Sequence, residues 1–95
     1  MAAYFIGRIR VLDPAEYQKY TAQTPGVIKA FGGRFLVRGG PVGFTEGSWK
    51  ADRWVVVEFP DVASLEKWYN SKEYQQILQI RMKSATSDAV AVQGV

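Results

Sequence analysis

The chain has no cysteine and no histidine. Without thiols there is no disulfide, no thiolate metal site and no cysteine nucleophile. Without imidazole there is no Ser-His or Cys-His pair, no histidine-ligated haem and no histidine-rich zinc or iron centre. The nine Asp and Glu show no metal-loop spacing, so neither a metal nor another cofactor is expected. Long apolar runs are missing as well: nothing approaches the roughly 20 residues of a membrane span, and the apolar start ends at Arg8, too early for a signal sequence. A cytoplasmic protein with no membrane partner is the expectation. Blocks of one charge sign are also absent. Twelve Lys and Arg against nine Asp and Glu give a net charge of +3, with the two signs interspersed rather than gathered into a basic stripe. That argues against a nucleic-acid partner, as does the lack in Arg53–Phe59 of the aromatic pattern that RNA-recognition sheets expose.

What the chain does have is apolar and aromatic content, 47% and 14%, far above that of a disordered chain. Ninety-five residues make one domain, 1–95, whose core is modest, since a chain of this length buries only about 60–65% of its unfolded surface. Residues Ala3 to Leu12 read as a strand closed by Asp13-Pro14. Asp13 caps the helix that follows, Pro14 suits its first position, and Glu16 sits where a capping box places a carboxylate. Tyr17, Tyr20, Thr24, Val27 or Ile28, and Phe31 keep helical spacing, interrupted at Thr24-Pro25-Gly26, where Thr24 is expected to cap a restart. Gly32-Gly33 ends it. A second strand runs Arg34 to Arg38, followed by a long hairpin with an extended piece over Phe44 to Glu46 and a loop through Gly47 and Asp52. Arg53 to Phe59 is the clearest strand, and Asp61 caps a helix with Leu65, Trp68 and Tyr69 on its buried stripe. Ser71 caps a further helix on which Tyr74, Ile77, Leu78 and Arg81 share a face, and Thr86 to Val92 is the last strand.

This order predicts an α+β fold of the ferredoxin-like βαββαβ plan, a four-stranded antiparallel sheet with the helices on one face. Strict alternation places Phe5, Ile9, Val11, Phe35, Val37, Val55, Val57, Phe59, Ala89 and Ala91 beneath the helices. The other face carries Tyr4, Ile6, Leu36, Trp54, Val56, Val90 and Val92 together with Arg8, Arg34, Arg38, Glu58 and Asp88. An apolar patch of that size implies a cover, and a second copy of the chain is the simplest one. The charges would then lie between two sheets, where Arg38 and Glu58 either form an interface ion pair or line a cleft in which arginine clamps an anion. Tyr69, Ser71 and Tyr74, around the helix break, are candidate ligand contacts through their hydroxyls, or else aromatics of the core and a cap. Trp68, Tyr17 and Tyr20 read as core packing. No residue can be named catalytic.

The runs Gly33-Arg34-Phe35-Leu36-Val37-Arg38-Gly39-Gly40, Arg53 to Pro60, Trp68-Tyr69-Asn70-Ser71-Lys72-Glu73-Tyr74-Gln75, and Arg81 together resemble the domain-of-unknown-function 1330 family, within the dimeric alpha-beta barrels. The resemblance covers nearly the whole chain and implies a homodimer whose sheet faces pair into a barrel. It implies no reaction. Relatives in the wider superfamily include cofactor-free monooxygenases, lactone isomerases and haem proteins, and an enolate-stabilising role would suit Arg38. Two function classes follow: a small enzyme or carrier that binds an organic acid or aromatic compound beside the sheet, with cofactor-free oxygenase or isomerase chemistry, and a non-catalytic dimeric structural or stress-related module.

Overall fold

The computed structural model describes residues 1–49 and 53–95. Its elements are β1 (Ala3–Val11), α1 (Pro14–Thr21), α2 (Thr24–Ala30), β2 (Arg34–Arg38), β3 (Arg53–Phe59), α3 (Val62–Tyr69), α4 (Lys72–Ser84) and β4 (Ala85–Gln93). The four strands form one antiparallel sheet in the order β2-β3-β1-β4, the ferredoxin-like arrangement. Each helix boundary has a local cause. The Asp13, Asp61 and Ser71 side chains accept the Glu16, Ser64 and Tyr74 N–H groups, as their sequence positions imply. The backbone N–H of Ser64 also holds the Asp61 carboxyl below the usual carboxylate range. Glu16 does not complete a capping box: its carboxylate takes Lys19 at 2.9 Å.

Thr24 is not the cap of the restarted helix. It is the first residue of α2, buried, and Gln23 stands at the cap position without a side-chain capping bond, its amide donating instead to the Lys19 carbonyl at 3.1 Å. The far end of α2 closes with a paired set of bonds, Gly32 N–H to the Lys29 carbonyl and Gly33 N–H to the Ile28 carbonyl, made possible by φ +83° at Gly32. The expected extended piece over Phe44 to Glu46 is not a strand; the chain there has no regular structure, and the part of that loop running through Asp52 lies outside the described residues.

On β1 and β3 the alternation holds. Phe5, Ile9, Val55, Val57 and Phe59 are buried beneath the helices against Tyr17, Tyr20, Ile28, Leu65, Trp68, Tyr74, Ile77 and Leu78. Trp68 is the hub, with its ring 4.2 Å from Tyr74, 5.1 Å from Phe59 and 5.2 Å from Phe5. At β4, an edge strand, Ala89 and Ala91 keep the helix-side register opposite Gly7 and Phe5 but are exposed.

The alternation fails on β2. Phe35 pairs with Val57, yet Val37 pairs with Val56 and Arg38 with Val55, so two steps on β2 match one on β3 and Leu36 is the extra residue of a β-bulge. Every residue beyond it changes face. Val37 moves to the outer face beside Val56, where it is 39% exposed, and Arg38 moves to the helix side beside Val55.

Candidate functional site

Because of the bulge, Arg38 does not lie on the outer sheet face and does not meet Glu58. Its Nη2 donates to the Thr21 carbonyl at 2.7 Å, and its guanidinium lies 4.7 Å from the Phe35 ring centroid. Thr21 ends α1, so its carbonyl has no partner within the helix, and a cation suits that negative end. Glu58 stays on the outer face, where Arg34 Nε donates to it at 2.8 Å and the Tyr4 hydroxyl at 3.1 Å. The hydrogen bond from Arg34, then that from Tyr4, holds the Glu58 carboxyl below its usual range, and the same contact raises Tyr4. Arg8 and Asp88, opposite each other on β1 and β4, pair at 2.9 Å on that face.

Arg38 instead stands at the rim of a cavity between the helices and the sheet. Phe5, Ile9, Ile28, Phe35, Val55, Val57 and Trp68 make its apolar wall, and Tyr17, Tyr20, Thr21, Thr24, Arg38, Arg53 and Arg81 its polar part. Its free volume is about 20 Å³, enough for roughly one water. It adjoins an open groove of about 470 Å³ bounded by Val11, Pro14, Tyr17, Gln18, Thr21, Arg38 and Arg53. Four residues, Tyr17, Thr21, Arg38 and Arg53, line both.

At the inner end Arg81 is only 3% exposed. Tyr74 puts it there: four residues on from Ile77 and seven on from Tyr74, Arg81 lies on the buried face of α4. Its Nη1 reaches the Tyr74 and Tyr20 hydroxyl oxygens at 3.3 and 3.5 Å, long contacts, and its Nε has no partner. The two hydroxyls are 2.7 Å apart. A count of hydrogens shows what is missing. Arginine brings five N–H groups and each tyrosine one O–H, while the acceptors they reach among the described residues are the two phenolic oxygens. One tyrosine donates to the other, and the second O–H is left without an acceptor among the described residues. The Trp68 indole N–H and Arg53 Nε are likewise buried without partners. Among the described residues no carboxylate lines the cavity or the groove. The arrangement these residues make offers donors and positive charge, with no carboxylate among them to meet either.

Burial raises the Tyr20 and Tyr74 hydroxyls above the ordinary tyrosine value, most strongly at Tyr74. Both stay neutral donors across the physiological range. Since their folded-state values are raised, the unfolded chain ionises first, so stability falls as pH climbs past about 10. In a spectrophotometric titration followed at 295 nm, the Tyr20 and Tyr74 phenols are expected to ionise only with unfolding. Two Phe variants, Tyr20→Phe and Tyr74→Phe, identify the late components by removing them; ionisation near pH 10 in the folded protein would contradict the buried pair.

Of the five candidate ligand residues, the structure brings Arg38 and Tyr74 to this cavity, Tyr74 through its bonds to Tyr20 and Arg81. The other three lie elsewhere. Glu58 is across the sheet. Ser71 spends its hydroxyl as a cap, donating to the Trp68 carbonyl at 2.7 Å while accepting from Tyr74 N–H. Tyr69 borders a separate shallow groove between α3 and β4, with Phe5, Leu65 and Ala91. Sequence reasoning missed Arg81, Arg53, Tyr20 and Trp68 as lining residues. For Arg81 there was a signal, a cation on a helix face otherwise composed of Tyr74, Ile77 and Leu78. Among the described residues no group of three carboxylates converges to hold a metal ion, and no helix is long and apolar enough to cross a membrane.

No curated protein sequence matches the chain. Among solved structures, a protein of unknown function from Rhodopseudomonas palustris is similar at 16% identity with a TM-score of 0.78, over 99% of this chain and 82% of that one. A dimeric ferredoxin-like protein of unknown function from Jannaschia sp. CCS1 matches at 13% identity and a TM-score of 0.74, covering 99% of this chain and 100% of the other. SnoaB, a cofactor-independent oxygenase from Streptomyces nogalater, matches at 15% identity and a TM-score of 0.66, covering 99% and 93%. These likenesses carry the fold. The model of the family named Domain of unknown function (DUF1330) matches residues 2–95, nearly the whole sequence, and the chain belongs to that family.

Proposed function

We propose that the protein is a homodimer that binds a small organic acid or aromatic enol in the cleft between helices and sheet, holding an oxyanion against Arg81 and the tyrosine pair. The observation that carries this is Arg81 itself: a guanidinium 3% exposed, with no carboxylate partner among the described residues and an unbonded Nε. A buried, unpaired charge costs several kcal/mol, a burden a fold keeps where an anion visits.

The lining also separates the two chemistries suggested by the fold. Isomerisation needs a group that takes a proton from carbon; the chain has no imidazole, and among the described residues the cavity has no carboxylate. Its tyrosines, with raised values, are donors. Donors aimed at developing negative charge suit a substrate that ionises unaided, whose enolate or phenolate then reacts with oxygen, so cofactor-free oxygenation is the better fit. The fold is shared with a cofactor-independent oxygenase. Dimerisation rests on the outer sheet face, where Val37, Val90 and Val92 are exposed beside half-buried Ile6, Trp54 and Val56. Solved neighbours of the same fold are dimeric ferredoxin-like proteins.

The free volume of the inner cavity, about 20 Å³, favours a second reading, a non-catalytic dimeric module whose buried arginine holds one water. A thermal-shift series separates the two. With aromatic carboxylates, phenols and enols supplied at about 100 times Kd, the wild-type protein is expected to gain about 2.7 kcal/mol, while neutral aromatic analogues give no gain. An unchanged melting temperature with every acid would leave the structural module standing.

A further inference from the structure

The cavity and its groove make a site with two cationic ends, and we propose that its ligand is two-headed: one acidic oxygen directed inward to Arg81, and a carboxylate held at the mouth between Arg38 and Arg53. This rests on the reading of the cleft as a ligand site and names the class of ligand.

Room decides which part of the ligand goes where. The inner cavity takes one water-sized group, so it accepts a single oxygen, phenolic or carboxyl, with Arg81 and the one O–H that the Tyr20–Tyr74 pair does not spend on itself as its donors. The body of the ligand has to occupy the outer groove, whose volume of about 470 Å³ falls in the range of small-molecule sites. Charge decides what the body carries. Arg38 and Arg53 both line that groove, and neither meets a carboxylate among the described residues. Arg38 spends one N–H on the Thr21 carbonyl, which fixes its fork at the rim. Arg53 lies over the Tyr17 ring at 5.7 Å, with its buried Nε unbonded. The backbone makes way for it: Gly39 has φ +72°, and a side chain there would run into the Arg53 guanidinium. A monoanion on Arg81 would leave two guanidinium groups at the mouth with no carboxylate among the described residues. A single-ring acid with a second acidic oxygen remote from its carboxylate satisfies both ends.

Calorimetric titration of the wild-type protein with benzoate, 4-hydroxybenzoate and benzene-1,4-dicarboxylate tests this. The two-headed acids are expected to bind at least 10-fold more tightly than benzoate, and Arg53→Met to bring them down to benzoate's affinity. Arg53→Gln serves equally should the Met variant fail to fold. Equal affinity of all three acids for the wild-type protein would overturn the two-headed ligand while leaving the cleft reading intact, as would an Arg53 variant that keeps the 10-fold preference. No binding of any acid to the wild-type protein would overturn both.

Discussion

Arg81→Met is expected to raise the free energy of unfolding by about 1–3 kcal/mol and, in the same protein, to abolish acid binding. The two effects share a cause. The guanidinium gives up its hydration on folding and recovers, among the described residues, two long hydrogen bonds, to Tyr74 at 3.3 Å and Tyr20 at 3.5 Å, with Nε left unbonded. Methionine fills similar space, requires no acceptor, and leaves the 2.7 Å bond between the tyrosines in place. Truncation has the opposite sign. Arg81→Ala empties volume beside Phe5 and Tyr20, whose rings lie 5.9 and 5.7 Å from the guanidinium carbon, and should cost roughly 2–4 kcal/mol. Urea denaturation at one fixed protein concentration reads both variants, and calorimetry with an acid that binds the wild-type protein reads the loss of binding. If the Met variant loses stability as the Ala variant does, Arg81 is a structural strut and the oxyanion site fails with it.

How far such a site can be read from sequence depends on which rule each residue obeys. Caps and periodicity are local, so Asp13, Asp61, Ser71 and the strands of the ferredoxin-like plan were legible, as was the family. Face assignment was legible only where the ladder is regular. Arg38 was placed on the partner face by counting alternate residues from Phe35, and one extra residue at Leu36 reverses that count. Nothing in Arg34-Phe35-Leu36-Val37-Arg38 marks a bulge, because its cause is the pairing with β3 rather than the strand's own composition. The inner site was hidden differently. Tyr17 and Tyr20 have the spacing of core residues and are core residues; that Tyr20 also supplies a donor follows from its meeting Tyr74, 54 positions away. Arg81 alone broke a local rule, by putting a charge in an apolar stripe, and it stands at the centre of the site.

Val56→Asp is expected to convert the proposed dimer to monomer, weakening association by about 10³-fold or more, while the fold and the proposed acid binding persist. Val56 sits in the middle of the outer face, paired with Ile6 of β1 on one side and Val37 of β2 on the other. The carboxylates on this face are already paired, Glu58 with Arg34 and Tyr4 and Asp88 with Arg8, and those two arginines are thereby engaged. A new carboxylate pressed between two sheets would therefore be buried against aliphatic side chains, twice per dimer, and an uncompensated buried charge costs about 3–5 kcal/mol. In the monomer the same carboxylate points to water and costs little. The helix-side cavity is built from residues of one protomer, with Arg81, Tyr20 and Tyr74 behind the sheet, so losing the partner should leave the acid-induced thermal shift in place. Light scattering coupled to size-exclusion chromatography measures the first effect, with Val56→Thr as the isosteric, uncharged control. A wild-type monomer at micromolar concentration, or a Val56→Asp variant that remains dimeric, would show that this face is not the interface. A monomeric variant that has also lost acid binding would instead mean that the partner supports the cavity through the sheet.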